Sequence, residues 1–253
     1  MKIAFAMWKN TRMIALTVVC AAIYWVARAV LMIDFPILAP EVMGMSAANL
    51  LPMLFGLLFG PAGAWGVAIG HLVGELGALT WKSIFDVVGA FLLGYLPYTM
   101  WTTFKPLADG QRDPAATKWR SWMLYILIAL ITAVASSVVV LTWLQMLGLL
   151  PYTVLLTILV FFALIGAVGS LVGGILFILL YGVVKKRLGL IWWEVMDEQE
   201  IGKPLAGTLG AWLVTAGALV GTAGTVVGFG GATAGPVIGI IAMVLIIGGS
   251  ILM

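Results

Sequence analysis

Long runs of apolar residues are the feature that most constrains the fold of this chain. Of its 253 residues, 63% are hydrophobic and only 9% are charged, and the mean hydropathy is +1.18. In lipid every backbone N–H and C=O must pair within the protein, and unbroken apolar runs of about 20 residues form helices rather than barrel strands. We therefore predict an all-α polytopic membrane protein in a lipid bilayer, with no nucleic-acid partner.

The apolar runs divide into eight predicted helices. Pro61 lacks the N–H that a continuing helix needs, so the second helix should end at Gly60 and the third should return from it. The predicted helices are Met13–Met32, Ser46–Gly60, Pro61–Leu79, Ser83–Phe104, Trp122–Leu147, Thr153–Val184, Leu205–Val227 and Pro236–Met253. We group them as a six-helix domain (1–188), an amphipathic interfacial segment (189–204) and a C-terminal transmembrane hairpin (205–253).

The distribution of basic residues predicts the orientation of the helices. With the N-terminus in the cytoplasm, eleven of the 13 Lys and Arg residues fall on the inner side, and only Arg28 and Lys82 lie near the outer surface. The positive-inside rule then favours eight spans with both termini cytoplasmic. The opening MKIAFAMWKNTR is basic but precedes a long apolar run without a small-residue cleavage site, so we expect the first helix to be retained.

Ionisable side chains inside the predicted spans indicate a functional site. Each costs about 2.5–3.5 kcal/mol in a bilayer and usually faces a cavity or a partner. His71 and Glu75 are four residues apart, on one face of the third helix beside several glycines. The predicted topology brings them to the outer side, which indicates an outward-opening polar pocket. Its candidate substrate-binding residues are Arg28, Asn49, His71, Glu75, Trp81, Lys82, Asp86 and Trp143, with Gln145 and Tyr152 at the same level.

Other interpretations of these residues stay open. The tryptophans, Tyr152 and Lys82 are also typical interfacial anchors, and the charged residues could form a structural ion-pair network. One His with one carboxylate is a poor first shell for a metal, and Cys20 is the only cysteine, so we predict neither a metal site nor a disulfide. His71 could hold a haem with a methionine, although methionine is a common core filler. No catalytic or nucleotide-binding motif is present, so we expect neither an enzyme nor a cofactor.

Faces of small residues are the second signal. They permit close contact between helices, either within the bundle or with another membrane protein. The candidate partner-interface residues are Ala15, Ala21 and Ala22 of the first helix, beside Cys20 and Ala27, and Gly217, Gly221, Gly224 and Gly228 of the seventh. The sixth helix repeats the pattern at Gly166, Gly169 and Gly173. Ordinary packing inside the bundle is the alternative for each face.

The second and third helices carry a resemblance to a known family. The stretch LLFGPAGAWGVAIGHLVGEL resembles the helix 2–3 hairpin of the substrate-binding S-components of energy-coupling factor (ECF) vitamin transporters. The likeness covers about residues 13–188 and includes VVGAFLLGYLPY, which is similar to the family's fourth helix. The chain departs from the pattern at His71, where the family has an acidic residue, and in its two extra helices. It also lacks the Met-His signature of the metal-uptake branch.

The resemblance implies a function and a set of partners. It implies a subunit in the cytoplasmic membrane of a prokaryote that captures a small vitamin-like compound from outside. Such a subunit topples on a transmembrane coupling protein driven by two cytoplasmic ATPases. Arg28 would then pair with an anionic group of the ligand, His71 and Glu75 would hydrogen-bond to it, and Trp81 or Trp143 would stack on a ring. The rival hypothesis is an accessory subunit of a larger complex, with glycine faces for docking; a secondary carrier is disfavoured because interrupted half-repeats are not evident.

Overall fold

The computed structural model describes residues 2–30, 32–34, 44–110, 113–114, 118–231 and 233–253. For residues 32–34, 44–47, 78, 81, 82, 108, 109, 152 and 153 it describes the backbone alone. The helices are α1 Lys2–Ala6, α2 Thr11–Val30, α3 Leu51–Phe59, α4 Pro61–Gly74, α5 Trp81–Asp109, α6 Trp119–Met146, α7 Tyr152–Val183, α8 Trp192–Val195, α9 Glu198–Ile201, α10 Gly207–Phe229 and α11 Gly235–Leu252. Two short strands, β1 Met32–Asp34 and β2 Gly44–Ser46, pair antiparallel, with Ile33 opposite Met45.

Six helices in the described part of the chain are long and apolar enough to cross a membrane, namely α2, α5, α6, α7, α10 and α11. This is the architecture of a multi-pass membrane protein, as the apolar runs predicted. The predicted bounds of these helices differ from the observed ones by only a few residues, because hydropathy and length are local properties of the sequence.

The second and third predicted helices are shorter than expected. Ser46 ends β2 rather than starting a helix, residues 47–50 form a 3₁₀ turn, and α3 begins at Leu51. Pro52 explains the late start, because a proline is tolerated only in the first turn of an α-helix. Helix α4 ends at Gly74, and Glu75 is its C-terminal cap rather than a residue inside it. At nine and 14 residues, α3 and α4 are short of the length expected of a full span.

The break between α3 and α4 lies at Gly60-Pro61, where the sequence predicted it. Gly60 separates the two helices with φ +53° and ψ −122°, a conformation that favours glycine, and Pro61 opens α4. The two helices form a hairpin, and its turn lies beside Trp192. The sequence therefore predicted the position of this turn correctly.

The fourth predicted helix was too short at its C-terminal end. It continues past Phe104 to Asp109, and Gly110 ends it in the left-handed conformation, with its N–H donating to the carbonyl of Pro106. Lys105 is consequently buried inside the bundle, where it hydrogen-bonds to Ser121. Residues 105–109, which the predicted fourth helix left out, therefore belong to α5.

The bundle has two distinguishable ends. The turn end holds Gly60 and also the start of α2, because the side-chain amide of Asn10 donates to the carbonyl of Val195 at 3.1 Å. The end of α11 lies there as well, since the N–H of Ala206 donates to the carbonyl of Leu252 at 3.1 Å. The first helices and the last residues of the chain therefore share one end. The opposite end holds Arg28 and the start of α5.

The last two long helices pack against α5 and α6 rather than standing apart. A side chain at Gly221 would meet Val138 of α6, and the Tyr95 hydroxyl of α5 donates to the carbonyl of Ser250 at 3.0 Å. The segment before them, predicted to lie along the interface, is packed under the turn end with Ile191, Trp192 and Met196 buried. Both parts belong to the bundle because apolar side chains join them to it.

Candidate functional site

Helices α2 and α4 approach closely enough to bring their polar side chains together. A Cβ added at Gly66 would lie 2.3 Å from the Cβ of Cys20, and one at Gly70 would lie 2.6 Å from the carbonyl oxygen of Ala21. Only glycine permits this spacing. One helical turn beyond Gly70, at Gly74, Arg28 of α2 lies beside the end of α4.

Arg28, His71, Glu75 and Asp86 form an ionisable cluster at this end of the bundle. The Nη2 of Arg28 donates to Oε1 of Glu75 at 2.9 Å. The Nε2 of His71 lies 2.9 Å from Nη1 of Arg28 and 3.1 Å from the same Glu75 oxygen. Charge-assisted hydrogen bonds of this kind offset part of the cost of taking ionised groups out of water.

The cluster is shielded but not closed. The side chains of Arg28, His71 and Glu75 are 24%, 15% and 16% exposed. These side chains are therefore neither fully buried nor freely exposed. Arg28, predicted to bind an anionic ligand group, is engaged by Glu75 in this arrangement, so a ligand would have to share or displace that contact.

Two further residues of the cluster were missed by sequence reasoning. The buried Tyr24 hydroxyl faces Arg28, and the Tyr24 ring lies 6.3 Å from that of His71. Ser83, in the first turn of α5, lies beside Glu75, and its hydroxyl accepts from the backbone N–H of Thr80 at 3.2 Å. Tyr24 is four residues before Arg28 and thus on its helical face, a spacing that could have indicated it. Nothing in the sequence marks Ser83.

Asp86 completes a set of three potential cation ligands. One ligand atom each of His71, Glu75 and Asp86 lies within 4.8 Å of the other two. One imidazole and two carboxylates are chemically suitable for a divalent cation. However, the permanently charged guanidinium of Arg28 already contacts His71 and Glu75, and it would repel a metal ion placed between them.

Two stacked aromatic side chains lie at the same end of the bundle as the cluster. Phe85, the neighbour of Asp86 on α5, stacks on Trp143 with ring centroids 4.8 Å apart and an interplanar angle of 19°. Trp143 thus lies at the predicted end of the bundle, and one face of its indole is occupied by Phe85.

The remaining predicted site residues lie as follows. Asn49 is in the 3₁₀ turn before α3, where its backbone carbonyl would be 2.5 Å from a Cβ at Gly169 of α7. Trp81 and Lys82 form the first turn of α5, one turn before Phe85 and Asp86, but their side chains lie outside the described residues, as does that of Tyr152.

The glycine faces that were predicted to bind a partner are packed inside the bundle. Gly217, Gly221, Gly224 and Gly228 of α10 are all buried; a Cβ at Gly217 would meet the carbonyl of Ala242 at 2.8 Å. This stripe is therefore internal packing against α11 and α6, which is the alternative that the sequence left open. Gly166, Gly169 and Gly173 of α7 likewise face neighbouring backbone or side chains of the same bundle.

The small-residue face of α2 is partly free. Ala21 and Cys20 pack against α4 and are not available to a partner, whereas Ala15 and Ala22 are exposed beside Val18 and Val19. The predicted face of α2 therefore points in two directions, and only its Ala15–Ala22 side lies on the surface.

Comparisons with protein-family models, with curated proteins and with solved structures find no match for this chain.

Proposed function

We propose that this protein is the substrate-capture subunit of an ECF-type importer and binds a small, water-soluble, vitamin-like compound. The ionisable cluster of Arg28, His71, Glu75 and Asp86 carries the proposal. Ionisable groups at membrane depth are costly, and partly accessible ones generally serve a ligand or an ion. The cluster joins three helices around one set of hydrogen-bonding atoms, with aromatic rings beside it, as in many small-molecule sites.

The proposed orientation puts the cluster on the outer side of the cytoplasmic membrane. Lys105 and Lys185 lie toward the turn end, beside Ser121 and Asp113 respectively. By the positive-inside rule the turn end is cytoplasmic, as are both chain termini. The α3–α4 hairpin can cross the bilayer twice, giving eight spans, or it can enter the bilayer from the outer side and return to that side. In both cases the chain before and after the hairpin lies outside, so the proposed orientation of the other helices is the same.

The proposed partners are a transmembrane coupling protein and two cytoplasmic ATPases. The exposed Ala15–Ala22 side of α2 is the surface we assign to the coupling protein, because small side chains allow a second helix to approach closely. The rival function is an accessory subunit that docks through glycine faces. The glycines of α10 pack against other helices of the same chain, so they do not support that hypothesis.

Mass spectrometry of the purified protein tests the proposal. We expect a small polar compound to co-purify with the unaltered chain and to be lost from Arg28→Ala, His71→Ala and Glu75→Gln. The first two remove a hydrogen-bonding group from the cluster, and the third removes the negative charge that faces Arg28. The control is Asp113→Asn, which removes a charge from the ion pair with Lys185 at the other end of the bundle. Retention of the compound by all three cluster variants, or no binding from a broad panel of vitamin-like compounds, would contradict the proposal.

A further inference from the structure

The first residues of the chain form a short helical segment with two unlike sides. Helix α1, Lys2–Ala6, continues into a 3₁₀ turn, Met7–Lys9. Ile3, Ala4 and Met7 are buried against the bundle. Three basic and two aromatic side chains are exposed on this segment and at the start of α2, namely Lys2, Phe5, Trp8, Lys9 and Arg12. We call these five residues the N-terminal face.

Trp65 of α4 fixes the segment to the bundle. Its indole Nε1 donates to the carbonyl of Ala4 at 2.7 Å. The same indole lies edge-to-face with Phe5 and Trp8, whose ring centroids are 5.9 and 5.7 Å away. Phe5 and Trp8 nevertheless remain 58% and 40% exposed. The N-terminal face therefore has a defined position relative to the long helices, and its aromatic rings are accessible from outside the bundle.

The length of α2 places the N-terminal face at the level of the lipid headgroups. Helix α2 has 20 residues and is apolar enough to cross a membrane. A helix of that length spans about 30 Å, which is the thickness of the hydrocarbon core. Arg12 lies in its first turn, whereas Val18 and Val19, further along, are 63% and 52% exposed and suit a hydrocarbon environment. Arg12 and the residues before it therefore lie where the hydrocarbon core ends.

The basic residues of the N-terminal face are not neutralised within the described part of the chain. None of the ion pairs between described residues involves them, although acidic side chains of α8 and α9 are exposed at the same end. The nearby carboxylate of Glu200 instead accepts from the side-chain amide of Asn10 at 3.2 Å and from the backbone N–H of Asp197 at 3.1 Å. The positive charge of the face is thus available to an anion outside the chain.

We propose that the N-terminal face binds the headgroups of anionic phospholipids. Basic side chains near a membrane surface are attracted to anionic headgroups, and aromatic side chains prefer the boundary between headgroups and acyl chains. Lys2, Lys9 and Arg12 supply the charge. Phe5 and Trp8 supply an apolar contact that a lipid can use and a soluble anion cannot. The proposal uses only the membrane-spanning architecture and does not rest on the proposed ligand or importer.

Native mass spectrometry of the full chain, titrated in detergent with phosphatidylglycerol or with phosphatidylcholine, tests the proposal. We expect tighter binding of phosphatidylglycerol and a loss of that preference in the triple variant Lys2→Gln, Lys9→Gln, Arg12→Gln. One basic residue near an anionic surface changes binding about fivefold, so the apparent Kd for phosphatidylglycerol should rise about tenfold or more. All three side chains are exposed, so the variant should fold like the unaltered chain, which its unfolding midpoint in detergent checks.

The matched control is the triple variant Lys118→Gln, Lys186→Gln, Arg187→Gln. It removes the same charge from exposed basic residues at the same end of the bundle, and we expect it to keep the preference for phosphatidylglycerol. A preference lost only in the N-terminal variant supports the proposal. An equal rise in Kd for both triple variants would mean that net charge alone acts and would overturn it. Equal binding of the two lipids by the unaltered chain would overturn it as well, as would saturable binding of inorganic phosphate that depends on the N-terminal face.

Discussion

At the scale of single residues, Arg28 is the residue that several members of the cluster contact at once. It donates to Glu75, lies beside His71 and faces the Tyr24 hydroxyl. The sequence indicated Arg28, His71 and Glu75 because an ionisable residue among apolar ones is conspicuous. It left open an ion-pair network among the charged residues, but it could not indicate that Arg28 pairs with Glu75 in particular, which is 47 residues away in the chain. Pairing of this kind depends on how two helices pack, and Gly66 and Gly70 decide that.

The pairing predicts a non-additive effect on stability. Arg28→Met and Glu75→Met should each lower the thermal unfolding midpoint of the solubilised chain, because each leaves a charge without its partner at membrane depth. The double variant should be destabilised by less than the sum, with a coupling of about 0.5–3 kcal/mol. Strictly additive effects would show that the two side chains do not interact. The Asp113→Asn variant, tested in parallel, should show no coupling to Arg28→Met.

At the scale of the elements, the same residue type plays different parts in different helices. Gly60 allows a turn with positive φ, Gly66 allows a close approach of α4 to α2, and Gly217 allows α11 to pack on α10. The spacing of the glycines on α10 predicted a close-packing face correctly. It left open whether the helix packed on that face would come from another protein or from this chain, because either helix requires the same small residues on the surface of α10.

The internal role of the α10 glycines is tested by a matched pair of substitutions. Gly217→Ala should lower the unfolding midpoint by an amount equivalent to about 1–3 kcal/mol, because its Cβ would lie 2.8 Å from the carbonyl oxygen of Ala242. Gly248→Ala on α11 meets no atom within 4 Å and should be neutral or stabilising by up to about 1 kcal/mol, since alanine is the better helix former. Equal midpoints for the two variants would argue that α10 and α11 do not pack closely.

At the scale of the whole molecule, the arrangement of the ends limits the possible topologies. The start of α2 and the end of α11 both lie at the turn end, through the contacts of Asn10 with Val195 and of Ala206 with Leu252. The basic residues Lys105 and Lys185 lie toward that end as well. Two orientations of the bundle in the membrane are then possible, and we propose the one with the turn end in the cytoplasm, which the positive-inside rule favours.

Cysteine labelling in intact cells tests that orientation. In a Cys20→Ser background, Leu79→Cys lies at the cluster end, where Leu79 is 54% exposed, and Gln199→Cys lies on the exposed side of α9 at the turn end. A membrane-impermeant maleimide should label the first in intact cells and the second only after lysis. The reverse pattern would place the cluster on the cytoplasmic side and would exclude capture of a ligand from outside.

The sequence by itself determined the class of protein, the six long apolar helices, the turn at Gly60-Pro61 and the ionisable residues that must be accommodated, because hydropathy, helix length and proline chemistry act locally. Only the tertiary structure decided that Glu75 meets Arg28, that the α10 glycines are occupied internally, and that Trp192 covers the hairpin turn. The residues on a helix face indicate what kind of neighbour that face can contact. Which distant segment fills it follows from the packing of the whole bundle, where shape and charge are satisfied together.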